Sequence, residues 1–175
     1  RQMCIRDSNY SYYKRVFVGA LRAVDFITSL PQYNGKALGV TGSSQGGALS
    51  MVTAALDKRV TFYAAIHPAM CDHRAHLQKV AGGWPHYFYY FPTPTPQRIQ
   101  TADYYDMVNF ARRITVPGWF SWGYNDDVCP PTSTYAAYNS ITAPKELHPY
   151  LETGHYWYQE QYEQWSQWLW AQMGL

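Results

Sequence analysis

The stretch KALGVTGSSQGG, residues 36–47, decides the fold of this chain. Its first half is a short apolar run of strand length, and Gly42-Ser43-Ser44-Gln45-Gly46 follows at once. Residues 48–56 are then rich in Ala, Leu and Met, which favour a helix. A G-x-S-x-G pattern between a strand and a helix is typical of a nucleophile elbow, a strained turn that exposes a serine hydroxyl. We therefore predict that Ser44 is a nucleophile.

The same glycines have two less specific interpretations. They could form an ordinary glycine-rich turn, or a loop that binds an anion at a helix N-terminus. A Walker A phosphate loop is excluded, because no Lys-Ser or Lys-Thr pair follows the glycines. The strand before the motif and the helix after it favour the elbow.

Strands and helices alternate along the chain on both sides of this motif. Besides the strand at residues 36–41 and the helix at 48–56, the hydrophobic pattern predicts strands at 62–66, 119–122 and 146–151, and helices at 12–30, 104–113, 130–140 and 157–173. The aromatic, proline-rich segment 84–96 is predicted to be irregular. Short apolar strands between helices predict an α/β fold, with a mostly parallel sheet and helices on both faces.

Composition excludes several classes of protein. With 47% hydrophobic and 15% charged residues, the 175-residue chain is not intrinsically disordered. A net charge of +2 without a basic run gives no reason to expect nucleic acid or an anionic membrane as a partner. The apolar stretches are shorter than the ~18 residues of a membrane span. Cys4, Cys71 and Cys129 are too few for a disulfide scaffold and contain no CxxC metal pair.

Candidate partners for Ser44 lie in the loops after the later strands. A serine nucleophile needs a base, and the base needs an orienting carboxylate. Hydrolases of this layout carry them in the chain order Ser, Asp or Glu, then His. Only His155 combines a loop after a strand with a position beyond the acid candidates. For the acid, Asp126 and Asp127 remain equivalent, and one of them could cap the helix near residue 130. Asp72 breaks the expected order and is predicted to be structural.

These motifs resemble the acetyl xylan esterases related to cephalosporin-C deacetylase, carbohydrate esterase family 7. Residues 42–48 are similar to the family's G-x-S-Q-G-G-A elbow, and residues 123–131 resemble its G-x-x-D-x-x-C-P-P stretch. The similarity continues through residues 135–139 and Gly154-His155, and it spans about Tyr12 to the C-terminus. One departure is Tyr156, where the family usually has Glu after the histidine.

The resemblance implies a role for each matched residue. Ser44 would be the nucleophile, Asp126 the acid and His155 the general base, and the backbone N–H of Gln45 would be one oxyanion donor. It also implies an α/β-hydrolase without metal or organic cofactor, which removes acetyl groups from acetylated xylan, xylo-oligosaccharides or similar small acetyl esters. Family members often form ring-like hexamers, so a homo-oligomer is expected of the full-length protein.

The resemblance also implies strands before the elbow, including the loop with the second oxyanion donor. We therefore expect residues 9–175 to be the C-terminal part of a single α/β-hydrolase domain with its N-terminal strands missing. Residues 1–8 are expected to be an artefact or a cut edge. Such a piece is expected to be poorly soluble and inactive alone, because a sheet edge is open and the oxyanion hole is incomplete. No signal segment is visible, and the compartment, cytoplasmic or secreted, stays open.

Two other functions are compatible with parts of the sequence. A serine peptidase of the prolyl-oligopeptidase type shares the triad order, but its elbow usually carries an aromatic residue before the serine and Tyr after it, where this chain has Ser43 and Gln45. A catalytically inactive binding protein of the same fold is the other alternative, and the intact Ser44, Asp126 and His155 argue against it. The aromatic segment 84–91 could form a pocket rim, a subunit contact or part of the core.

Overall fold

The structure is a computed structural model that describes residues 11–175, so the expected artefact at residues 1–8 lies outside the described part. These residues form four strands, seven α-helices and a short 3-10 turn. In chain order they are α1 Tyr12–Ser29, β1 Gly39–Ser43, α2 Gln45–Leu56, β2 Phe62–Ile66, the 3-10 turn Ala75–Gln78, α3 Tyr87–Tyr90, α4 Pro96–Tyr104, α5 Met107–Ala111, β3 Gly118–Gly123, α6 Pro131–Asn139, β4 Lys145–Tyr150 and α7 Gln159–Met173.

The four strands form one parallel sheet in the order β1-β2-β3-β4. Strands that follow one another in the chain are therefore neighbours in the sheet. The register pairs Ser43 with Ile66 and Ile66 with Ser121, and it pairs Gly123 with Tyr150. The carboxyl ends of all four strands consequently lie along one edge of the sheet, where parallel α/β sheets bind their ligands.

Helices cover both faces of this sheet. All residues of β2 are buried, and they alternate between the two faces. Tyr63 and Ala65 belong to the main core, which also contains side chains of α1, α2, α5 and α6. Phe62, Ala64 and Ile66 pack in a second cluster with Trp119 of β3 and Trp168 of α7. The predicted α/β class, with a parallel sheet between helices, is confirmed.

Two strands lie at the edges of the described sheet, β1 and β4. Pro149 lies within β4, opposite Trp122, and an edge position tolerates a residue that has no backbone N–H to donate. On β1, Gly39 and Thr41 are exposed although the strand carries the elbow. Within the described residues, no helix has the length and apolar character needed to cross a membrane.

The first helix buries only part of the face that its sequence predicts. The spacing of Val16, Ala20, Ala23/Val24 and Ile27 predicts the inner face, and Val24 is buried whereas Ile27 is exposed. The buried residues are Tyr13, Phe17 and Val24. The two aromatic rings reach the core because they pack against Tyr105 and Phe110, whose rings lie within 6.4 Å of them by centroid distance. Aromatic burial therefore outweighed the aliphatic pattern.

The helix predicted at residues 104–113 has the wrong bounds, because only Met107–Ala111 forms a separate helix within that range. Helix α4 ends at Tyr104, and α5 begins at Met107. Asp106 lies between them with extended backbone, and its carboxylate accepts a hydrogen bond from the Val108 N–H at 2.9 Å. An Asp side chain that caps a helix in this way competes with helix continuation. Earlier in the chain, Pro96 begins α4, consistent with the preference of proline for the first helical turn.

The aromatic segment 84–91 is divided between core and surface. Tyr87 and Phe88 are buried in the main core, whereas Tyr89 and Tyr90 are exposed. The segment is mostly irregular, as predicted, apart from the single turn of α3. Packing in the core therefore accounts for Tyr87 and Phe88, and Trp84 packs against the same core while half-buried.

Asp106 also holds the loop that follows β2. Its buried carboxylate accepts hydrogen bonds from the backbone N–H of Asp72 at 3.0 Å and of His73 at 2.6 Å. Asp72 thus contributes backbone contacts to the loop, consistent with a structural place for this residue. Because charged acceptors of backbone N–H groups form strong hydrogen bonds, this carboxylate fixes the path of the loop.

We predict that Asp106→Ala lowers the free energy of unfolding by about 2–4 kcal/mol, because two buried N–H groups and one helix cap lose their acceptor. Asp103→Ala is the matched control, since Asp103 bonds the exposed Arg74 and surface pairs contribute at most about 1 kcal/mol. Urea unfolding of both variants measures the difference. Equal losses in the two variants would contradict this account of Asp106.

Candidate active site

Ser44 occupies a strained turn between β1 and α2. Its backbone has φ 56° and ψ −118°, a conformation that residues other than glycine rarely adopt. The Ser44 N–H donates to the carbonyl of Ile66 at 2.9 Å. The Ser44 carbonyl accepts from the N–H groups of Ala48 and Ala69, at 3.1 and 3.0 Å. Helix α2 and the end of β2 therefore hold the turn in place on both sides.

The glycines around Ser44 are not equivalent. A Cβ atom added at Gly42 would lie only 2.4 Å from the backbone carbon of Gly46, so the turn admits no side chain there. At Gly47, an added Cβ would lie 3.0 Å from the carbonyl oxygen of Ile66. At Gly46 it would meet none of the described atoms within 4 Å. Close backbone packing thus requires the first glycine of the motif, whereas the described residues leave room at the second.

The structure brings Ser44, Asp126 and His155 together. His155 Nδ1 lies 2.7 Å from Asp126 Oδ2, and His155 Nε2 lies 2.9 Å from Ser44 Oγ. An ionised carboxylate only accepts hydrogen bonds, so His155 Nδ1–H donates to Asp126. Nε2 is then left without a proton and accepts from the Ser44 hydroxyl. This tautomer is the one in which a histidine can take a proton from serine.

Asp126 is fixed by its own loop. Its side chain is fully buried, and Oδ1 accepts from the N–H groups of Val128 at 2.9 Å and Cys129 at 2.7 Å. The neighbouring Asp127 is exposed. Helix α6 has Pro130 at its N-cap and no side-chain cap, so neither aspartate caps it. The geometry therefore separates two aspartates that chain position alone left equivalent.

The acid and base loops are bonded to each other. Tyr124 N–H donates to Tyr150 O, and Asn125 N–H donates to Thr153 O, both at 2.9 Å. A Cβ added at Gly123 would lie 2.1 Å from the Thr153 carbonyl oxygen, so only glycine permits this approach. The loop after β3, which carries Asp126, is therefore bonded directly to the loop after β4, which carries His155.

Gln45 is the first residue of α2 and lies directly after Ser44. Backbone N–H groups in the first turn of a helix lack acceptors within the helix, and the helix dipole favours negative charge near them. The Gln45 N–H is thus of the kind that can bind an oxyanion beside the serine. This is the donor that the resemblance implies.

His67 lies against the candidate base, and the sequence analysis missed it. Its ring centroid is 4.2 Å from that of His155, and its Nε2 lies 2.6 Å from Ser43 Oγ. Burial, together with the nearby His155, lowers the pKa of His67 from 6.5 to about 4, and Asp126 opposes both effects. Its place directly after β2 was the available signal, because the loops after the other three strands supply the triad.

Among residues 11–175, one group of side chains has the spacing to hold a metal ion. One ligand atom each of His67, Asp126 and His155 lies within 4.8 Å of the others. These side chains already form hydrogen bonds: His155 bonds Asp126 and Ser44, and His67 bonds Ser43. Cys129 is buried nearby, and burial raises the pKa of its thiol to about 12, so it stays protonated.

The remaining histidines of the described chain lie elsewhere. His148 stacks on Trp119 with ring centroids 5.1 Å apart. His73 is buried beside Tyr87, at 4.9 Å between centroids. His76 and His86 face each other near the 3-10 turn, with ring nitrogens 3.4 Å apart. None of these contacts involves Ser44, Asp126 or His155.

We predict that Gly42→Ala destabilises the fold by roughly 1–3 kcal/mol, because the methyl group collides with backbone rather than with a flexible side chain. Gly46→Ala is the matched control within the same motif. It is expected to be neutral or stabilising by up to about 1 kcal/mol, because alanine is the better helix former. Thermal and urea unfolding test the pair, and a Gly42→Ala protein as stable as Gly46→Ala would refute the steric assignment.

A second prediction concerns pH. Because the folded pKa of His67 is about 4, the unfolded chain binds a proton between pH 6.5 and 4 that the folded chain does not. Stability is therefore lost as the pH falls through this window. We expect His67→Phe, which cannot titrate, to lose less unfolding free energy between pH 7 and about pH 4.5 than the unmodified protein. Identical losses in urea unfolding at the two pH values would contradict this.

Known acetyl esterases are similar in sequence to this chain. The profile of the acetyl xylan esterase family (AXE1) matches residues 3–172. The acetyl esterase Axe7A of Xylanibacter ruminicola is 54% identical over 140 residues, which cover 80% of this chain and 32% of that protein.

Two solved structures of acetyl xylan esterases have the same fold. The enzyme from Paenibacillus sp. R4 has a TM-score of 0.86 at 30% identity, over 95% of this chain and 55% of its own. Acetyl xylan esterase 1 from Thermoanaerobacterium sp. JW/SL YS485 has a TM-score of 0.83 at 27% identity, with the same coverage. The chain thus spans about a third to just over half the length of these relatives, and it belongs to the acetyl xylan esterase family.

Proposed function

We propose that the protein containing this chain is a carboxylic ester hydrolase that removes acetyl groups by a Ser-His-Asp mechanism. The observation that carries the proposal is the position of His155, which bonds Ser44 through one ring nitrogen and the buried Asp126 through the other. The proposed roles are nucleophile for Ser44, general base for His155 and orienting carboxylate for Asp126. The backbone N–H of Gln45 is the proposed oxyanion donor on this chain.

The proposed reaction has two acyl-transfer steps. In the first, His155 Nε2 takes the Ser44 proton while Ser44 Oγ attacks the acetyl carbonyl, and the Gln45 N–H stabilises the negative oxygen of the tetrahedral intermediate. The alcohol then leaves with the proton from His155. In the second step, water attacks the acetyl-enzyme through the same base and releases acetate. Asp126 keeps its charge throughout and stabilises the imidazolium that forms twice.

The proposed substrates are acetylated xylan, xylo-oligosaccharides or similar small acetyl esters. The support is the family membership, together with the names of the relatives, which are an acetyl esterase and two acetyl xylan esterases. A small acetylated carbohydrate is accordingly the proposed partner. A homo-oligomer is likewise proposed for the full-length protein, on the resemblance to family members.

We also propose that residues 9–175 are part of a single α/β-hydrolase domain whose sheet continues beyond β1. Two observations support this. The matched relatives are considerably longer than this chain, and the exposed Gly39 and Thr41 lie on the strand that carries the elbow. A neighbouring strand would bond the free backbone groups of this edge and shield them from water.

The test uses the protein produced from the entire reading frame that contains this sequence. We expect it to hydrolyse p-nitrophenyl acetate and not a proline p-nitroanilide, and to be labelled covalently at Ser44 by a fluorophosphonate. Ser44→Ala should abolish both the labelling and the turnover, because the attacking oxygen is gone. An unmodified, folded protein that neither labels nor turns over the ester would refute the proposal. Cleavage of the anilide in place of the ester would favour the peptidase alternative.

The two aspartates provide a matched pair in the same assay. Asp126→Asn is expected to lower kcat by about 10⁴, because an amide cannot hold the required histidine tautomer. Asp127→Asn changes the same functional group on an exposed neighbour and is expected to leave kcat within about twofold. If both variants kept full activity, Asp126 would not be the acid.

A further inference from the structure

A series of side-chain contacts connects Trp157 to the candidate base His155 through Ser43 and His67. The indole N–H of Trp157 donates to Ser43 Oγ at 3.3 Å, and Ser43 Oγ lies 2.6 Å from His67 Nε2. The ring of His67 then packs against the ring of His155, with centroids 4.2 Å apart and planes inclined by 47°. Of these residues, only His155 belongs to the proposed triad.

Ser43 links Trp157 to His67. An indole N–H can only donate, so Ser43 Oγ accepts from Trp157. The Ser43 hydroxyl can then donate to Nε2 of the neutral His67 ring, and Oγ can equally accept from an Nε2–H. Among the described residues, Nδ1 has no hydrogen-bond partner. The His67 ring is thus bonded to Ser43 through Nε2, and it packs at nearly a right angle to the Trp157 ring, with the two ring centroids 6.3 Å apart.

His67 is also a rigid neighbour. It is 2% exposed, and its backbone N–H donates to the Ser121 carbonyl at 2.7 Å, which ties it to β3. His155, by contrast, lies on a loop, and its side chain is 23% exposed. Two hydrogen bonds hold the edges of the His155 ring, and neither prevents the ring from tilting out of its plane. The ring of His67 is the group that packs against the His155 ring in that direction.

We propose that His67 is a positioning residue for the general base, whose ring packs against His155 and keeps that imidazole aligned between Ser44 and Asp126 while the proton moves. The inference rests on the proposed function and extends it by one residue. His67 is suited to this place because it stays uncharged. An imidazolium forms on His155 during each proton transfer, and a cationic side chain 4.2 Å away would oppose it.

The consequence concerns turnover and not substrate affinity. A misplacement of about 1 Å in a reacting group can lower the rate by about 10²-fold. In His67→Ala, the His155 ring loses the surface against which it packs. We therefore expect kcat on p-nitrophenyl acetate to fall by about 10- to 100-fold while KM stays within about twofold. The rate of fluorophosphonate labelling at Ser44 should fall by a similar factor, because labelling uses the same base.

The experiment compares four variants of the protein produced from the entire reading frame. His67→Phe replaces one flat ring by another and is expected to recover kcat to within about fivefold of the unmodified protein. Ser43→Ala leaves the His67 ring in place but removes the hydroxyl that holds it, and should lower kcat less than His67→Ala does. His148→Ala is the matched control, because it removes a stacked histidine whose ring contacts Trp119 and Glu146 and none of the triad side chains, and its kcat should not change.

Each outcome decides the inference. If His67→Ala keeps kcat within twofold, or if its loss is entirely an increase in KM, His67 does not position the base. If His67→Phe is as slow as His67→Ala, ring packing is not the cause. Should His67→Ala fail to fold, Ser43→Ala decides, and an unchanged kcat there overturns the inference. In all these cases the unmodified protein still labels and turns over the ester, whereas failure of the proposed function removes both activities from the unmodified protein.

Discussion

Ser44 adopts a backbone conformation that residues with a side chain rarely adopt, and neighbouring strand ends keep it there. Its N–H bonds the end of β2, and its carbonyl bonds both the first turn of α2 and the loop after β2. Strain of this kind costs of order 1–3 kcal/mol and persists only where surrounding structure determines it. The parallel register of β1 and β2 provides that surrounding structure, because it places Ile66 beside Ser43.

The same register assembles the other site residues. Each of the four strands ends at one edge of the sheet, and each is followed by a loop that contributes one side chain: Ser44, His67, Asp126 and His155. Glycines at Gly42 and Gly123 let backbone approach backbone, within the elbow and between the loops after β3 and β4. The Asp126 carboxylate accepts from backbone N–H groups, and Ser44, Asp126 and His155 bond one another. Strand alignment thus assembles the site, and the first turn of α2 holds the serine.

The sequence predicted this arrangement where local pattern and chain order carry the information. The strand-to-helix context of residues 36–56 indicated the elbow, and the order of the loops indicated His155 and the two aspartates. The resemblance selected Asp126, and of the two neighbouring aspartates it is Asp126 that is buried and bonded to His155. Helix boundaries near Asp106 were wrong, because an Asp within an apolar run gives no sign that its side chain will cap a new helix and bind two distant N–H groups.

By itself, the sequence determined the alternation of strands and helices, the elbow and the family, because these depend on residue type, spacing and order along the chain. Only the tertiary structure decided which side chains from the different strand-end loops contact each other. His67 and His155 are far apart in the chain, and their ring contact exists because β2 and β4 end at the same edge, on either side of β3. Periodicity within one element contains no information on such contacts, since they depend on how several elements pack together.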